Sequence, residues 1–348
     1  MAYTTIDKPS DYFNTKLYTG TGSSNAITGV GFQPDWVWIK SRSDALSHAT
    51  FDSVRGVTKV LVMNADTAEY TNTDTLTAFG TDGFTVGSNT GVNTDTKTRV
   101  AWNWKAGTSF TNDASSTSIG SIDSAGSVSD VSGFSIVSYT GTGSNGTIKH
   151  GLSTAPDLFI IRRLDDDNDW RVGSSALTNF VKHINLNTTA AEDNLAAAFN
   201  STGPTTSVFS VGTSISVNAS GGTYIAYCFS SIKGYSKIGS YAANENVNGT
   251  FVYTGFKPAF VIQKQINLAR DWHMFDNKRS TSNAVGKYLS PNDAGAEDSG
   301  EDYLDLLSNG FKIKNTGANF NDADGTYIFV AFAENPFVTS TGVPGTAR

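Results

Sequence analysis

Residues able to do chemistry are few in this chain, and they stand apart. Among 348 residues there are one Cys, four His and 32 Asp or Glu. No Gly-x-Ser-x-Gly elbow, no phosphate-cradling P-loop and no His-Glu-x-x-His helix motif occurs. Glycoside hydrolysis needs two placed carboxylates, and no Asp or Glu stands in a setting that marks such a pair. The four His and Cys228 lack zinc-ligand spacing. Two acidic runs, 165–169 and 321–325, resemble pieces of calcium loops. Neither has the late bidentate acid that completes a set of six to eight oxygens, so both read as solvated loops. The sequence thus predicts no catalytic residue, no metal and no cofactor.

Binding chemistry has better candidates. Trp170 and Trp272 each follow an Asp, at 169 and 271, and His48 takes the same place in an earlier segment. Exposed indoles beside Asp52 and Asp276 would form a platform that stacks a sugar ring and hydrogen-bonds its hydroxyls. The alternative is a core or edge aromatic. A pattern Asn-x4-Glu recurs at Asn64 and Glu69, Asn187 and Glu192, Asn292 and Glu297. It is either a ligand pair or a turn whose Asn bonds its own backbone and whose Glu caps it. Arg55 has no evident counterpart and reads as a partner contact or a surface ion pair with Asp52.

These candidates recur because one segment is written three times. Pro34, Pro156 and Pro258 each precede an apolar run that ends in a basic residue. Asp52, Ser174 and Asp276 follow those prolines by 18 residues in every copy. Phe-centred segments at 83–86, 208–211 and 310–313 come next, then aromatic runs at 99–104, 224–229 and 327–332. Before each proline lies a Tyr-containing segment, at 16–22, 137–143 and 238–244. The divisions are an N-terminal arm 1–12, repeats 13–107, 133–232 and 235–337, a Ser/Gly/Thr-rich linker 108–132 and a tail 338–348. The linker is either flexible or an extended arm lying on a neighbour, and the tail reads as a loose end.

Within a repeat, short runs alternate and are bounded by Gly, Asn, Asp or Pro, which marks strands and turns. The runs 36–39 and 158–161 are apolar throughout, as in strands covered on both faces. A proline fits at the opening of a strand. Residues 188–199 and 302–307 could each hold a turn or two of helix. The expected fold is all-β, three tandem homologous β-sandwich modules of jelly-roll or lectin-like type.

Composition narrows the function. Only 16% of residues are charged and the net charge is −7, which disfavours a binder of nucleic acid backbones. No apolar run approaches the length of a membrane span. The first ten residues lack the basic and apolar regions of a secretory signal. Cys228 reads as a buried small hydrophobe. Three copies of one scaffold suit avidity or surface coverage more than a single active site.

The opening 1–15, the Tyr-Thr-Gly-Thr-Gly segments at 18–22 and 139–143, residues 31–40 and the ending 331–337 resemble repeat-containing virion proteins of tailed, often marine, phages. Proteins of that kind go by uncharacterised, structural, tail-fibre or lectin-like descriptions. The resemblance spans residues 1–337 and implies a non-enzymatic virion structural protein on the outer particle: tail fibre, appendage or head-surface component. Assembly in the host cytoplasm fits a single Cys and no leader. Partners would be other virion proteins, further copies of the chain (a homotrimer first) or host surface glycans. The alternatives are a host-glycan-binding adhesin and a glycan depolymerase. Asp11, Tyr12 and Phe13 precede the first repeat and are expected to dock on another virion protein.

Overall fold

The structure is a computed structural model that describes residues 2–178 and 180–346. Met1, Asn179, Ala347 and Arg348, from the expected arm, second repeat and tail, lie outside the described residues. The chain is all-β, with 44% strand and 7% helix. Its helices, such as Thr90–Asn93 and Ile215–Asn218, are four residues or shorter.

One antiparallel strand order recurs in each repeat. A lead strand (Phe13–Thr19, Phe134–Thr140, Ser236–Ala242) pairs with a closing strand (Thr98–Trp104, Thr223–Phe229, Thr326–Pro336). The closing strand also pairs with a proline strand (Trp36–Ser41, Leu158–Arg163, Phe256–Gln265). The proline strand then pairs with a corner strand (Ala49–Asp52, Arg171–Ser174, Trp272–Asp276). A second layer faces each of these sheets. It holds Asn25–Thr28, Gly83–Val86 and Leu76–Gly80 in the first repeat and Gly146–Lys149 with Val208–Val211 in the second. In the third it holds Phe251–Tyr253, Gly310–Ile313, Asp298–Leu307 and Val285–Tyr288.

Side chains alternate across a strand, and this explains the continuous apolar runs. Val37 and Ile39 point into a cluster with Phe51, Phe84 and Val86, between the two layers of the first repeat. Trp36 and Trp38 point the other way, into a large cluster that takes residues from all three repeats. Phe159 and Ile161 against Leu158 and Ile160, and Val261 against Phe260 and Ile262, divide in the same way. Each repeat therefore has its own core, and the three main sheets turn their other faces toward a fourth. Burying both faces of the proline strand requires residues like Trp36 through Ser41, every one of which is buried.

Three expectations change, and one that was open is decided. Pro258 lies inside its strand instead of opening it, and the register with the closing strand slips on both sides of it. A bulge is where a residue without an N–H can sit in a ladder. Residues 302–307 belong to the strand Asp298–Leu307, because Leu304 and Leu306 are buried against the third repeat's core. The expected linker is an extended arm: Thr108–Asn112 and Ser124–Ser129 add two strands to the second repeat's sheet, beside Phe134–Thr140. The tail bridges back on itself between Val338 and Pro344, and Ser340 donates to Asp7.

Candidate functional site

The polar residues that recur in the sequence meet at three junctions between repeats, and the junctions close a ring. In each, the Asn-x4-Glu loop of one repeat lies on the end of the next repeat's proline strand. The Glu69 N–H donates to the Leu164 carbonyl at 2.9 Å, that of Glu192 to Ile266 at 2.8 Å and that of Glu297 to Arg42 at 2.9 Å. The basic residue ending each proline strand returns the contact. Arg162 Nη2 donates to the Thr67 carbonyl at 2.6 Å, Lys264 Nζ to Thr189 at 3.1 Å and Lys40 Nζ to Ala294 at 2.9 Å. The order is first on second, second on third and third on first.

The Asn of the pattern bonds the corner strand's start, not its own backbone. Asn64, Asn187 and Asn292 Oδ1 accept from the backbone N–H of His48, Trp170 and Trp272. Their amide groups donate to the preceding Ser47, Asp169 and Asp271. The two halves of the repeated pattern are thus one device: the loop is held by its Asn and reaches the neighbour with its Glu backbone.

The corner aromatics face the opposite neighbour. Trp170 Nε1 donates to the Val62 carbonyl and Trp272 Nε1 to that of Asn185, both at 2.9 Å. The His48 ring faces the backbone at Ser290 and Asp293. Trp170 and Trp272 are buried among the shared-core residues. A sugar-stacking platform needs an exposed ring, so the expected platform is not on the surface: these indoles are mortar between repeats.

Asp52 and Asp276 are also fully buried. Asp52 accepts from Arg55 Nε at 2.6 Å and from the Tyr227 hydroxyl of the second repeat at 2.7 Å. Asp276 accepts from Arg279 Nε at 2.5 Å and from Trp102 Nε1 of the first repeat at 3.1 Å. Arg55 and Arg279 also reach Glu69 and Glu297. Arg279 is therefore the counterpart of Arg55, each three residues after its Asp, and the ion pair of Arg55 is interior, not on the surface. Where the second repeat meets the third, Ser174 and Leu177 replace Asp and Arg, and Val330 stands where Tyr227 and Trp102 stand in their strands. The Asp, the Arg and the ring donor are absent together, while Glu192 remains and pairs with Lys182.

Burial governs the titrations here. It lowers Lys40 and Lys264 to about 8 and Arg162 to about 10. It holds His48 well below its ordinary value, with the Lys40 charge adding to the effect. The thiol of Cys228, buried in the second repeat's own core, is pushed up to about 12. Among the described residues, no group of three or more His, Cys, Asp or Glu could hold a metal ion. The run 165–169 is used for contacts: Asp165 and Asp166 pair with Arg163, and Asp167 accepts from the Ala68 N–H of the first repeat.

Where the repeats converge, aromatic rings meet. Trp104 and Phe229 each lie under 6 Å from Phe332, the equivalent residue of the third repeat. Beside them is an apolar cavity of about 30 Å³ lined by Trp36, Leu158, Phe260 and others from all three repeats. Phe13 packs here against Trp104, Phe260 and Phe332. It is buried, so of the expected docking residues only Asp11 and Tyr12 keep some exposure. The preceding arm lies on the chain itself, with the Tyr3 hydroxyl donating to the Gly255 carbonyl and Thr4 to that of Lys233.

The sequence can be set beside known proteins. No curated protein matches it, and among the described residues no helix is long and apolar enough to cross a membrane. A family model matches residues 8–336, nearly the whole chain, and the protein belongs to that family, described as a domain of unknown function (DUF7483).

Proposed function

We propose that the chain is a non-catalytic structural protein of a phage virion, placed on the outer particle as a tail-fibre, appendage or head-surface component. In this reading it is built from three tandem β-sandwich modules of jelly-roll type. The observation that carries it is the closed ring. At each junction the recurring polar groups either hold one repeat to the next or brace the loop that does, which favours assembly over a reaction centre as what the repeats share. Arranged this way, one chain presents three similar outer surfaces about a common core, as a trimer of separate chains does. Such a body suits a three-fold or pseudo-three-fold position on a particle. The ring supplies within one chain the contacts that a homotrimer would make between chains, so the free protein is read as a monomer. The resemblance to phage virion proteins supports the particle itself.

Antibody labelling of purified particles of the virus that encodes the chain, viewed by electron microscopy, tests the reading. Label on the outer surface is expected. Particles that lack the protein by both labelling and mass spectrometry would refute it. Deleting residues 1–12 separately tests whether the arm, which lies against the third repeat, is needed for incorporation.

A further inference from the structure

The three repeats differ at one side, where the lead strand and the first strand of the second layer leave an open edge. In the second repeat the chain covers this side itself. Ser124–Ser129 pairs along Phe134–Thr140, and Ile122 bridges to Ile148 in the facing layer. The Ile122 side chain is buried in the same cluster as Val137, Tyr139 and Ile148. Register gives the equivalents. Against the closing strands, Val137, Lys16 and Gly239 occupy one position, and Tyr139, Tyr18 and Tyr241 another. Ile148, Ile27 and Val252 correspond in the second layer.

The first repeat guards its edge with a charge, since Lys16 stands where Val137 stands in the second. A lysine on an edge strand discourages pairing with another chain. The third repeat has Gly239 there. Its edge holds a cleft of about 210 Å³ lined by Gly239, Ser240, Tyr241, Phe251, Val252 and Tyr253, with Lys237 and Phe329. This is the place that corresponds to Ile122. Phe251 and Tyr253 are 44% and 49% exposed at its rim. Lys237 reaches across to the Tyr253 carbonyl at 3.1 Å and braces the two layers.

The edge backbone is only partly used. Ile238 N–H donates to the Ser231 hydroxyl, and the Ala242 carbonyl accepts from Thr250. Both groups point away from the closing strand. Alternation along an antiparallel strand therefore turns the N–H and carbonyl of Ser240 outward as well, toward the cleft side. Ser138, its equivalent, is the residue that pairs with Ala125 of the covering strand.

We propose that this edge of the third repeat binds an extended strand of a partner protein, which pairs beside Ser240 and sets an aliphatic side chain in the cleft. The partner segment has the chemistry of 121–129 here: a buried aliphatic anchor, then small residues, with a second aliphatic residue, the counterpart of Val128, packing at the margin. Small residues are needed because the strands approach closely; a Cβ on Gly126 would lie 2.0 Å from the Ile136 carbonyl oxygen. Main-chain bonds would give affinity and the anchor specificity, as in other strand additions. The inference does not depend on the virion reading, since either can fail without the other.

The test uses the full-length protein and a fluorescein-labelled peptide of residues 119–130. Saturable binding by anisotropy is expected. It should weaken at least tenfold with the protein variants Ser240→Pro, which removes the outward N–H, and Phe251→Asp, which charges the rim. A peptide carrying Ile122→Asp should lose binding to the same degree. Absence of saturable binding, or binding indifferent to all three changes, overturns the proposal. So does a chain that sediments as a dimer abolished by Ser240→Pro, for the occupant would then be a second copy. Phe251 is exposed, so its substitution keeps the test valid if Ser240→Pro does not fold.

Discussion

A buried carboxylate is tolerable only where charge and hydrogen bonds meet it. Asp276 accepts from Arg279, from Trp102 and from the N–H groups of Lys278 and Arg279. Arg279→Leu would leave that charge buried with its cation gone, at a cost of about 3–5 kcal/mol. The second repeat shows a neutral solution in Ser174 and Leu177. The double change Asp276→Ser with Arg279→Leu should therefore recover at least half of the loss, as measured by urea denaturation. A double variant no more stable than the single one would mean that the second junction's composition does not transfer. In the sequence, Asp52 and Asp276 were findable from their fixed distance to the prolines. Their partners were not, because Tyr227 and Trp102 belong to other repeats. Arg279 was within reach: the spacing from Pro258 equals that from Pro34 to Arg55. The second copy, where Leu177 stands in its place, breaks the pattern.

At the scale of elements, the arm 108–129 tests how much a covering strand contributes. Its composition left a flexible linker and an extended arm equally open, since Ser, Gly and Thr bury little apolar area. What orders it is backbone pairing plus a few anchors, the buried Ile122 and the partly buried Phe110 and Val128, a signal too small to stand out among polar neighbours. Gly126→Val would press a side chain into the backbone of the lead strand. Hydrogen exchange across Phe134–Thr140 should then rise about tenfold or more, while the closing strands stay protected. Uniformly raised exchange would mean that the arm is part of the global fold instead of a separable cover. The strand runs themselves were legible because alternation and turn residues are local. The helix reading at 302–307 failed because six residues carry too little periodicity to outweigh the core that Leu304 and Leu306 enter.

For the whole molecule, the shared core decides cooperativity. Tandem domains joined by linkers unfold separately, whereas here each main sheet buries one face against the other two repeats. Removing one repeat would expose Trp36, Phe229 or Phe332 and their neighbours to water, leaving the others with only their own smaller cores. Calorimetry should therefore show one transition with calorimetric and van't Hoff enthalpies in agreement. The transition should also move with pH in a defined direction. Burial lowers His150 to about 4 and His273 to about 3, and His48 lies well below its ordinary value. These groups stay neutral when folded and bind protons when unfolded once the pH drops below about 6.5. Stability is then full above that value and falls as the pH drops toward the folded values, by up to about 1.4 kcal/mol per pH unit for each His. The midpoint should thus decrease between pH 7 and pH 5 while the transition stays single. Replacing His273, which lies against Phe320 and Tyr288, by Phe should flatten that decrease. Three resolved transitions at pH 7 would instead mean that the repeats are independent bodies, and the ring a packing of finished domains.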